Sequence, residues 1–451
     1  MKTAFIPVVS LVTASLMFGC ISLTASTLTV TTTSDTGAGS LRAALKNARN
    51  GDTIKFSLPA PSIITLTSGE LLVSKNLNIL GPGAGNLALN GNHVSRVFHI
   101  ASSTTVTIAG LTITQGVTTG YGGGIYTDHA ALTVSNCVVT GNSANNNTGG
   151  GVGGGIYSDG TSPNVIQPKA GYATLNVVNC LVTANSCGNT GGGIVSDATS
   201  NTGGSVAATI LDSIVHGNSS GYIGGGIANL GATMTVIRCT VSDNTAPNLA
   251  GSGLGGGLYN GGTMTVRDSS LIENSASGGG GGIHNWAGTL NIVNSTLSGN
   301  MAGTPGDSFT GVGGGIRNFG YGKLTVLNCT FSGNSAYYGS SIAALGSSQT
   351  IGGTILNAGP GAGNIYGGIV TSLGYNLSSD SGTDLLLGPL QDNGGPTWTQ
   401  APLPGSPAID AGKNFSGSAT DQRGLPRTLD YLGVPNAPAG DGSDIGAVEV
   451  Q

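Results

Sequence analysis

Residues 122–128 read GGGIYTD, and residues 133–143 read TVSNCVVTGNS. Both phrases return later in the chain, as GGGIRNF at 313–319 and TVLNCTFSGNS at 325–335. In all, a glycine triplet followed by an aliphatic residue occurs seven times, at intervals of 25 to 38 residues. Fixed phrases at variable intervals are typical of stacked coils joined by loops of different lengths.

Each repeat contains short stretches in which apolar and polar residues alternate, separated by glycine and asparagine turns. Alternation with a period of two predicts β-strands. Three short strands in each coil of about 25 residues predict an all-β solenoid, because every coil can pair with the coils above and below it. We therefore expect a right-handed single-stranded parallel β-helix, the handedness being that of other parallel crossovers.

Three columns of apolar residues are expected to fill the interior of this helix. They are Ile125, Ile156, Ile194, Ile227, Leu258, Ile283 and Ile316; Val134, Val177, Ile210, Val236, Val266, Ile292 and Val326; and Val139, Val182, Val215, Val241, Leu271, Leu297 and Phe331.

One asparagine also recurs at a fixed turn position of every coil. The seven are Asn142, Asn185, Asn218, Asn244, Asn274, Asn300 and Asn334. Asparagine tolerates the left-handed backbone of a turn, and stacked amides hydrogen-bond along the axis. We interpret this column as a structural ladder, and the glycine triplets as the tight bends that lead into the next strand.

The composition narrows the function classes. Glycine makes up 81 of the 451 residues, charged residues 8%, and the formal net charge is −5. Without a basic stripe, nucleic-acid binding is not expected. The glycines do not recur at every third residue, which excludes collagen, and glycine costs about 1 kcal/mol at each interior helical position, which excludes a helical bundle.

The N-terminus predicts export. Lys2 and the apolar run 4–18 are typical of a signal peptide, which we assign to residues 1–26. Residues 16–20 also resemble a bacterial lipoprotein cleavage box, in which Cys20 would carry the lipid. No second long apolar segment follows, so no transmembrane span is expected in the mature chain. An extracellular protein and an outer-membrane lipoprotein at the cell surface both remain open.

The two ends differ from the repeats. Residues 27–120 are expected to hold an N-terminal cap and irregular early coils, with an amphipathic helix at 40–48 whose N-cap is Ser40. Residues 121–345 carry the regular repeats. Residues 346–451 are expected to hold the last coils and a cap rich in Pro, Gly and Asp.

Cysteines and serines share one column of the repeat. Its members are Cys137, Cys180, Ser213, Cys239, Ser269, Ser295 and Cys329. Exchange of Cys with Ser is typical of a small inward-facing residue, which predicts buried free thiols. Cys137 and Cys180 lie on adjacent coils, and Cys187 follows within the coil of Cys180. Because exported proteins can form disulfides, the sequence leaves open whether two of these cysteines form one.

The terminal motifs carry a resemblance to known exported proteins. Residues 39–45, GSLRAAL, resemble the N-terminal CSLREA module of bacterial β-helix proteins, and the glycine triplets with Phe331–Asn334 resemble the repeats of polymorphic outer membrane proteins. Residues 392–396, 404–412, 421–424 and 444–449 resemble the choice-of-anchor Q module. This resemblance implies a pectin-lyase-like β-helix and export, and it implies no particular reaction.

Two outward columns flank the glycine phrases and form the candidate site. The first is Tyr126, Tyr157, Val195, Ala228, Tyr259, His284 and Arg317; the second is Asp128, Asp159, Asp197, Leu230, Gly261, Trp286 and Phe319. Aromatic rings beside carboxylates are typical of polysaccharide contact. No cofactor is expected to be required. Asp128, Asp159 and Asp197 could hold a calcium ion, or each could accept hydrogen bonds from turn amides at its strand end.

These patterns favour a non-enzymatic, adhesin-like protein that contacts polysaccharide or cell-surface glycans. The alternative is a polysaccharide lyase or glycoside hydrolase acting on acidic polysaccharide. A lyase needs a base beside its acidic cluster, and Lys169 is the nearby candidate, whereas Arg317 lies four coils beyond Asp197. The sequence leaves the ligand and the oligomeric state open.

Overall fold

The computed structural model describes residues 25–145, 150–161, 172–199, 204–248, 251–303, 311–361 and 363–451. Residues 1–24, which include Cys20 and most of the predicted signal peptide, and the lyase candidate Lys169 lie outside the described residues. None of the helices in the described ranges is long and apolar enough to cross a membrane.

The first sheet is the longest continuous stack. In the described residues its 13 strands are all parallel, and each pairs with the next along the axis. They are Thr27–Val30, Thr53–Phe56, Leu77–Leu80, Thr105–Ala109, Ala131–Ser135, Tyr172–Val178, Ser205–Leu211, Thr233–Ile237, Thr263–Arg267, Thr289–Val293, Lys323–Leu327, Ser348–Gly352 and Ile369–Gly374. The stack runs without a break across residues 120 and 345, where we placed domain boundaries.

The second sheet contributes one or two short strands to each coil. Its described strands are Ser62–Thr65, Leu87–Asn90, Thr112–Thr114, Val117–Thr118, Val138–Thr140, Ser143–Ala144, Leu181–Thr183, Ser186–Cys187, Ile214–His216, Ser219–Ser220, Thr240–Ser242, Thr245–Ala246, Ser270–Ile272, Ser275–Ala276, Thr296–Ser298, Met301–Ala302, Thr330–Ala336, Ile355–Gly361 and Leu377–Ser378.

Among the described residues, the third sheet has the seven strands that follow the glycine triplets, two strands before them and two after them. They are Leu71–Val73, Phe98–Ile100, Ile125–Asp128, Ile156–Asp159, Ile194–Asp197, Ile227–Leu230, Leu258–Asn260, Ile283–Trp286, Ile316–Phe319, Ile342–Leu345 and Ile365–Tyr366. Equivalent residues of successive repeats pair directly, as Ile125 does with Ile156. Three long parallel sheets wound in this way confirm the predicted right-handed parallel β-helix.

The interior is the apolar core that the three predicted columns describe. Every member of those columns is fully buried, including Phe331. The cysteines Cys137, Cys180, Cys187, Cys239 and Cys329 are buried free thiols in the described structure. Burial raises the pKa of Cys239 and Cys329 to about 12, so these thiols are poor nucleophiles.

The asparagine column forms a continuous hydrogen-bonded ladder. Asn142 Nδ2 donates to Asn185 Oδ1 at 3.0 Å, and the same bond repeats from coil to coil up to Asn334. The left-handed residue is the one before each asparagine, such as Gly141 or Glu273, and not the asparagine itself, as we had expected. The asparagine itself is free to point its amide inward.

The first glycine of each triplet also requires a left-handed backbone. Its φ lies between 62° and 71° in all seven repeats. The third glycine is needed for close approach, because a Cβ at Gly124 would lie 2.6 Å from the carbonyl oxygen of Gly155 on the next coil. The triplets therefore allow both the bend and the tight stacking of coils.

A short helix, Leu41–Asn47, packs on the N-terminal coils. Ser40 caps it by accepting a hydrogen bond from the amide of Ala43, and Leu41, Ala44 and Leu45 are buried. Arg42 pairs with Asp35 at 2.8 Å. Hydrogen bonds from Arg42, Thr67 and Ser68 outweigh burial and lower the pKa of Asp35 to about 2.

The C-terminal segment has a wider role than the terminal cap we predicted. It packs on the last coils through a small apolar cluster that contains Ile355 and Ile445. It then lies along the side of the preceding coils. Gln422 bonds to Ser270 and Thr296, and the Ala447 amide donates to Thr330 Oγ1. We call residues 388–451 the strap, because hydrogen bonds join them to several coils at once.

Candidate functional site

The first outward column of the third sheet is largely covered. Tyr157 and His284, which were expected to face solvent, are buried, as are Val195 and Ala228. A line of residues that lie just before the glycine triplets, or before Gly339, pairs from coil to coil, and we call it the lip: Tyr121, Val152, Thr190, Ile223, Leu254, Gly279, Val312 and Tyr338. Tyr121 stacks on Tyr157, and Val152 packs against the cluster of Tyr157, Val195 and Ala228. His284 instead lies between the rings of Tyr259 and Trp286. The lip could not be recognised from the repeats alone, since its members have no residue type in common.

The tyrosines and aspartates in this region bond to each other across coils. The Tyr126 hydroxyl donates to Asp159 Oδ2 at 3.1 Å, and the Tyr157 hydroxyl donates to Asp197 Oδ2 at 2.8 Å. Burial, followed by the neighbouring aspartates, raises the pKa of both tyrosines well above the ordinary value. They therefore stay protonated and act as hydrogen-bond donors.

The remaining aspartate oxygens accept bonds from the turns that follow. Asp159 Oδ1 accepts the amide and hydroxyl of Thr161, and Asp197 Oδ1 accepts those of Thr199. Each of these aspartates thus accepts hydrogen bonds from the turn at its strand end, which the sequence left open as the alternative to a calcium site. Their negative charge is offset by hydrogen bonds from the chain itself.

The predicted calcium ligands do not come together as a set of three. In the described residues, Asp128, His129 and Asp159 bring one ligand atom each within 4.8 Å of one another, and Asp197 lies outside this group. Both nitrogens of His129 are engaged, with Asp128 Oδ1 and with the Thr161 carbonyl. Calcium takes six to eight oxygen ligands, whereas this group offers two carboxylates and an imidazole, and both Asp159 oxygens already accept hydrogen bonds. The site therefore fits a calcium ion poorly.

Aromatic rings form an exposed edge near the start of the lip. Tyr121 is 47% exposed, and its ring stacks 4.8 Å from Tyr157 and 6.2 Å from Tyr126. Arg96, from an earlier coil, lies 4.9 Å from the Tyr126 ring centre. These rings and Arg96 form one cluster, in which Tyr121 is the exposed member.

A second aromatic group lies further along the same sheet. Trp286 is 44% exposed, and its ring lies 5.1 Å from Phe319 on the next coil and 6.0 Å from His284. Tyr259 stacks on His284 at 5.6 Å. A half-exposed tryptophan held by neighbouring rings presents a flat apolar face, which is the surface that a sugar ring stacks on.

Arg317 and His284 set the electrostatics of this second group. Arg317 is half-buried, its guanidinium lies 5.0 Å over the Phe319 ring, and its Nε is buried without a hydrogen-bond partner in the described residues. Burial lowers the pKa of Arg317. Burial, reinforced by Arg317, lowers the pKa of His284 to about 3, so the imidazole is neutral.

Two features of this face were missed at the sequence level. A second asparagine ladder runs inside the third sheet, from Asn229 through Asn260 and Asn285 to Asn318, with 2.7 to 2.8 Å bonds. Its signal was an asparagine two residues after the aliphatic residue in four successive repeats. At the far end of the lip, the exposed rings of Tyr338 and Tyr366 pack 4.5 Å apart.

Comparisons with known proteins bear on the fold. No protein-family model and no curated protein matches the chain, so the likeness of its terminal motifs to the CSLREA and choice-of-anchor Q modules, and of its repeats to polymorphic outer membrane proteins, stays a prediction. Among solved structures, the pectate lyase Pel9A matches 95% of this chain and 97% of its own, with a TM-score of 0.46 and 13% identity.

A second solved structure is a mannuronic acid-specific polysaccharide family 6 lyase from human gut microbiota. It matches 79% of this chain and 84% of its own, with a TM-score of 0.32 and 10% identity. At these identities the two likenesses concern the fold, and they carry no argument about a reaction.

Proposed function

We propose that this chain is an exported cell-surface or extracellular β-helix protein that contacts polysaccharide without cleaving it. The observation that carries the proposal is the exposed aromatic edge of the third sheet, in particular Trp286 supported by Phe319. Stacking on an aromatic face is a common means of holding a sugar ring. Export rests on the N-terminal sequence, and extracellular release and lipid anchoring at Cys20 are both compatible with the proposal.

The arrangement of the aspartates favours binding over catalysis. A lyase or hydrolase needs a carboxylate, or a base beside a metal, that is free to reach the substrate. Asp159 and Asp197 instead accept hydrogen bonds from Tyr126 and Tyr157 and from the following turns. We therefore assign these carboxylates a structural role.

The alternative is a polysaccharide lyase or glycoside hydrolase that acts on acidic polysaccharide. The observation in its favour is the group formed by Asp128, His129 and Asp159. Asp128 and His129 are half-buried, so substrate could reach them. This alternative predicts turnover that depends on Asp159.

One experiment separates the two functions. The purified chain is screened on a glycan array and, in parallel, assayed for reducing ends and unsaturated products on a panel of neutral and acidic polysaccharides. We expect binding without turnover, binding that weakens in Trp286→Leu, and no change in Trp398→Leu, a matched exposed tryptophan on the strap. Turnover that disappears in Asp159→Ala would establish the enzyme instead.

Calcium provides a second check. Because the oxygens of Asp159 and Asp197 are already occupied, we expect millimolar calcium to leave the melting temperature unchanged relative to EDTA. A clear calcium-dependent rise that Asp128→Asn removes would mean that the aspartates do form a metal site.

A further inference from the structure

Arg317 is a cation that has no carboxylate partner among the described residues. Its Nε is buried and has no hydrogen-bond partner, and the described residues supply no ion pair to its guanidinium. The titratable acid that acts on it is the phenol of Tyr222, a neutral donor and acceptor. Burying an unpaired charge costs free energy unless a partner compensates for it. Without a carboxylate partner, Arg317 therefore lowers the stability of this coil.

The other buried and half-buried arginines of the described residues are paired with carboxylates, including Arg427, whose Nε also has no hydrogen-bond partner. Arg42 bonds to Asp35, Arg238 holds Asp212 through two nitrogens, and Arg423 bonds to Asp421. For Arg42, Arg238 and Arg423, a carboxylate of the chain lies within hydrogen-bond distance. Arg317 has no carboxylate partner among the described residues, although it is more buried than Arg238.

The lip makes room for Arg317 at one position. The lip residue of the preceding coil is Gly279, and a Cβ there would lie 2.6 Å from Arg317 Cδ. At the equivalent positions of other coils the lip carries side chains such as Val152 and Leu254. The glycine lets the arginine side chain lie across the lip, beside the Phe319 ring.

His284 provides a second orphaned polar group at the same place. It pairs in register with Arg317, it is fully buried, and neither ring nitrogen has a hydrogen-bond partner in the described residues. Buried polar groups are normally satisfied. His284 is fully buried, so Arg317 is the member of this pair that can meet an acceptor from outside the chain.

We propose that Arg317, with His284 beside it and Trp286 on the neighbouring strand, forms a subsite for an acidic sugar, with Arg317 binding the carboxylate and Trp286 stacking on the ring. The guanidinium fork matches a carboxylate through two parallel hydrogen bonds. The inference rests on the proposed polysaccharide contact and adds the class of sugar: a uronic acid. A sulfated sugar presents related anionic chemistry and is distinguished in the test.

The test measures binding of three oligosaccharide probes to the whole chain by calorimetry and tryptophan fluorescence: an oligouronate, a sulfated oligosaccharide of equal length, and a neutral glucan oligomer. We expect the oligouronate to bind best. Arg317→Met should weaken its binding about tenfold or more, the effect of losing a charged hydrogen-bond partner. Lys323→Gln, which removes an exposed positive charge from the same coil, should have little effect.

The variants also separate a binding role from a structural one. Because Arg317→Met removes a half-buried charge that has no carboxylate partner among the described residues, it should fold and melt at the wild-type temperature or above it. Arg317→Lys keeps the charge without the planar fork and should give intermediate binding. Trp286→Leu should weaken both acidic and neutral oligosaccharides.

The possible failures are distinguishable. If the chain binds neutral glycans and Arg317→Met changes nothing, the acidic subsite is overturned and the polysaccharide contact stands. Preference for the sulfated probe would overturn the assignment to uronic acids. If no probe and no glycan on the array binds, both the subsite and the proposed function fail.

Discussion

The Tyr157 hydroxyl donates a 2.8 Å hydrogen bond to Oδ2 of Asp197 on the next coil. Both side chains are buried, and the remaining Asp197 oxygen accepts bonds from Thr199. The pair links two coils outside the apolar core. It also explains how a column of like-charged residues can stack along one sheet.

Tyr157→Phe should lower the free energy of unfolding by about 1.5–3 kcal/mol, because it leaves a buried carboxylate without one of its donors. The measurement is chemical unfolding followed by circular dichroism. Tyr121→Phe is the matched control, since Tyr121 belongs to the same ring cluster but is exposed. Equal effects of the two substitutions would show that the bond to Asp197 contributes nothing specific.

Asn244→Ala should destabilise the middle of the helix by about 2–4 kcal/mol. The Asn244 amide bonds to Asn274 and to the Val215 carbonyl, and its oxygen accepts from Asn218, so its removal leaves several buried groups unpaired. Asn291→Ala, on the outer side of the first sheet, should be close to neutral. Hydrogen exchange would localise the loss; a uniform change along the chain would contradict a local ladder defect.

His284 should make stability depend on pH. Its folded-state pKa, about 3, lies below the ordinary value of 6.5. The neutral form is therefore favoured by folding, so this contribution is present above about pH 6.5 and is lost as the pH falls toward 3. Asp444 and Glu449 act in the opposite direction, because burial raises their pKa values to about 6 and about 7.

His284→Phe isolates the histidine, since the strap carboxylates contribute equally to both proteins. Between about pH 6 and pH 4, the unfolding free energy of the wild type should fall relative to the variant by about 1.4 kcal/mol per pH unit, the value for one proton. Unfolding curves at four pH values provide the measurement. Parallel curves would mean that His284 is not held neutral.

The strap should loosen when Gln422 is replaced by Ala. The Gln422 amide donates to Ser270 Oγ and Thr397 Oγ1 at 2.9 Å, and its oxygen accepts from Thr296 at 2.7 Å. We expect faster hydrogen exchange and proteolysis in residues 388–451, with the coils before Asp268 unchanged. Gln391→Ala, on the exposed surface of the same segment, is the control. Loss of structure in the early coils would show that the strap is required by the whole solenoid.

The sequence by itself determined the coil stack and its interior. A period of two defines which side chains point inward, and the glycine triplets and the Asn142 column recur because each coil repeats the same local geometry. These are local properties, so Ile125, Val134 and Val139 and their equivalents could be assigned from spacing alone. The N-terminal helix was also local, since Ser40 and the apolar face of residues 41–48 define it.

Only the tertiary structure decided what becomes of the outward side chains. Whether Tyr157 reaches solvent depends on the lip, whose residues have no type in common, and the burial of His284 depends on the neighbouring rings of Tyr259 and Trp286. The diagonal bond from Tyr157 to Asp197 depends on register between coils, and the placement of the strap on Ser270 and Thr296 joins residues more than a hundred positions apart. Contacts at such separations are set by packing, so no local pattern in the chain specifies them.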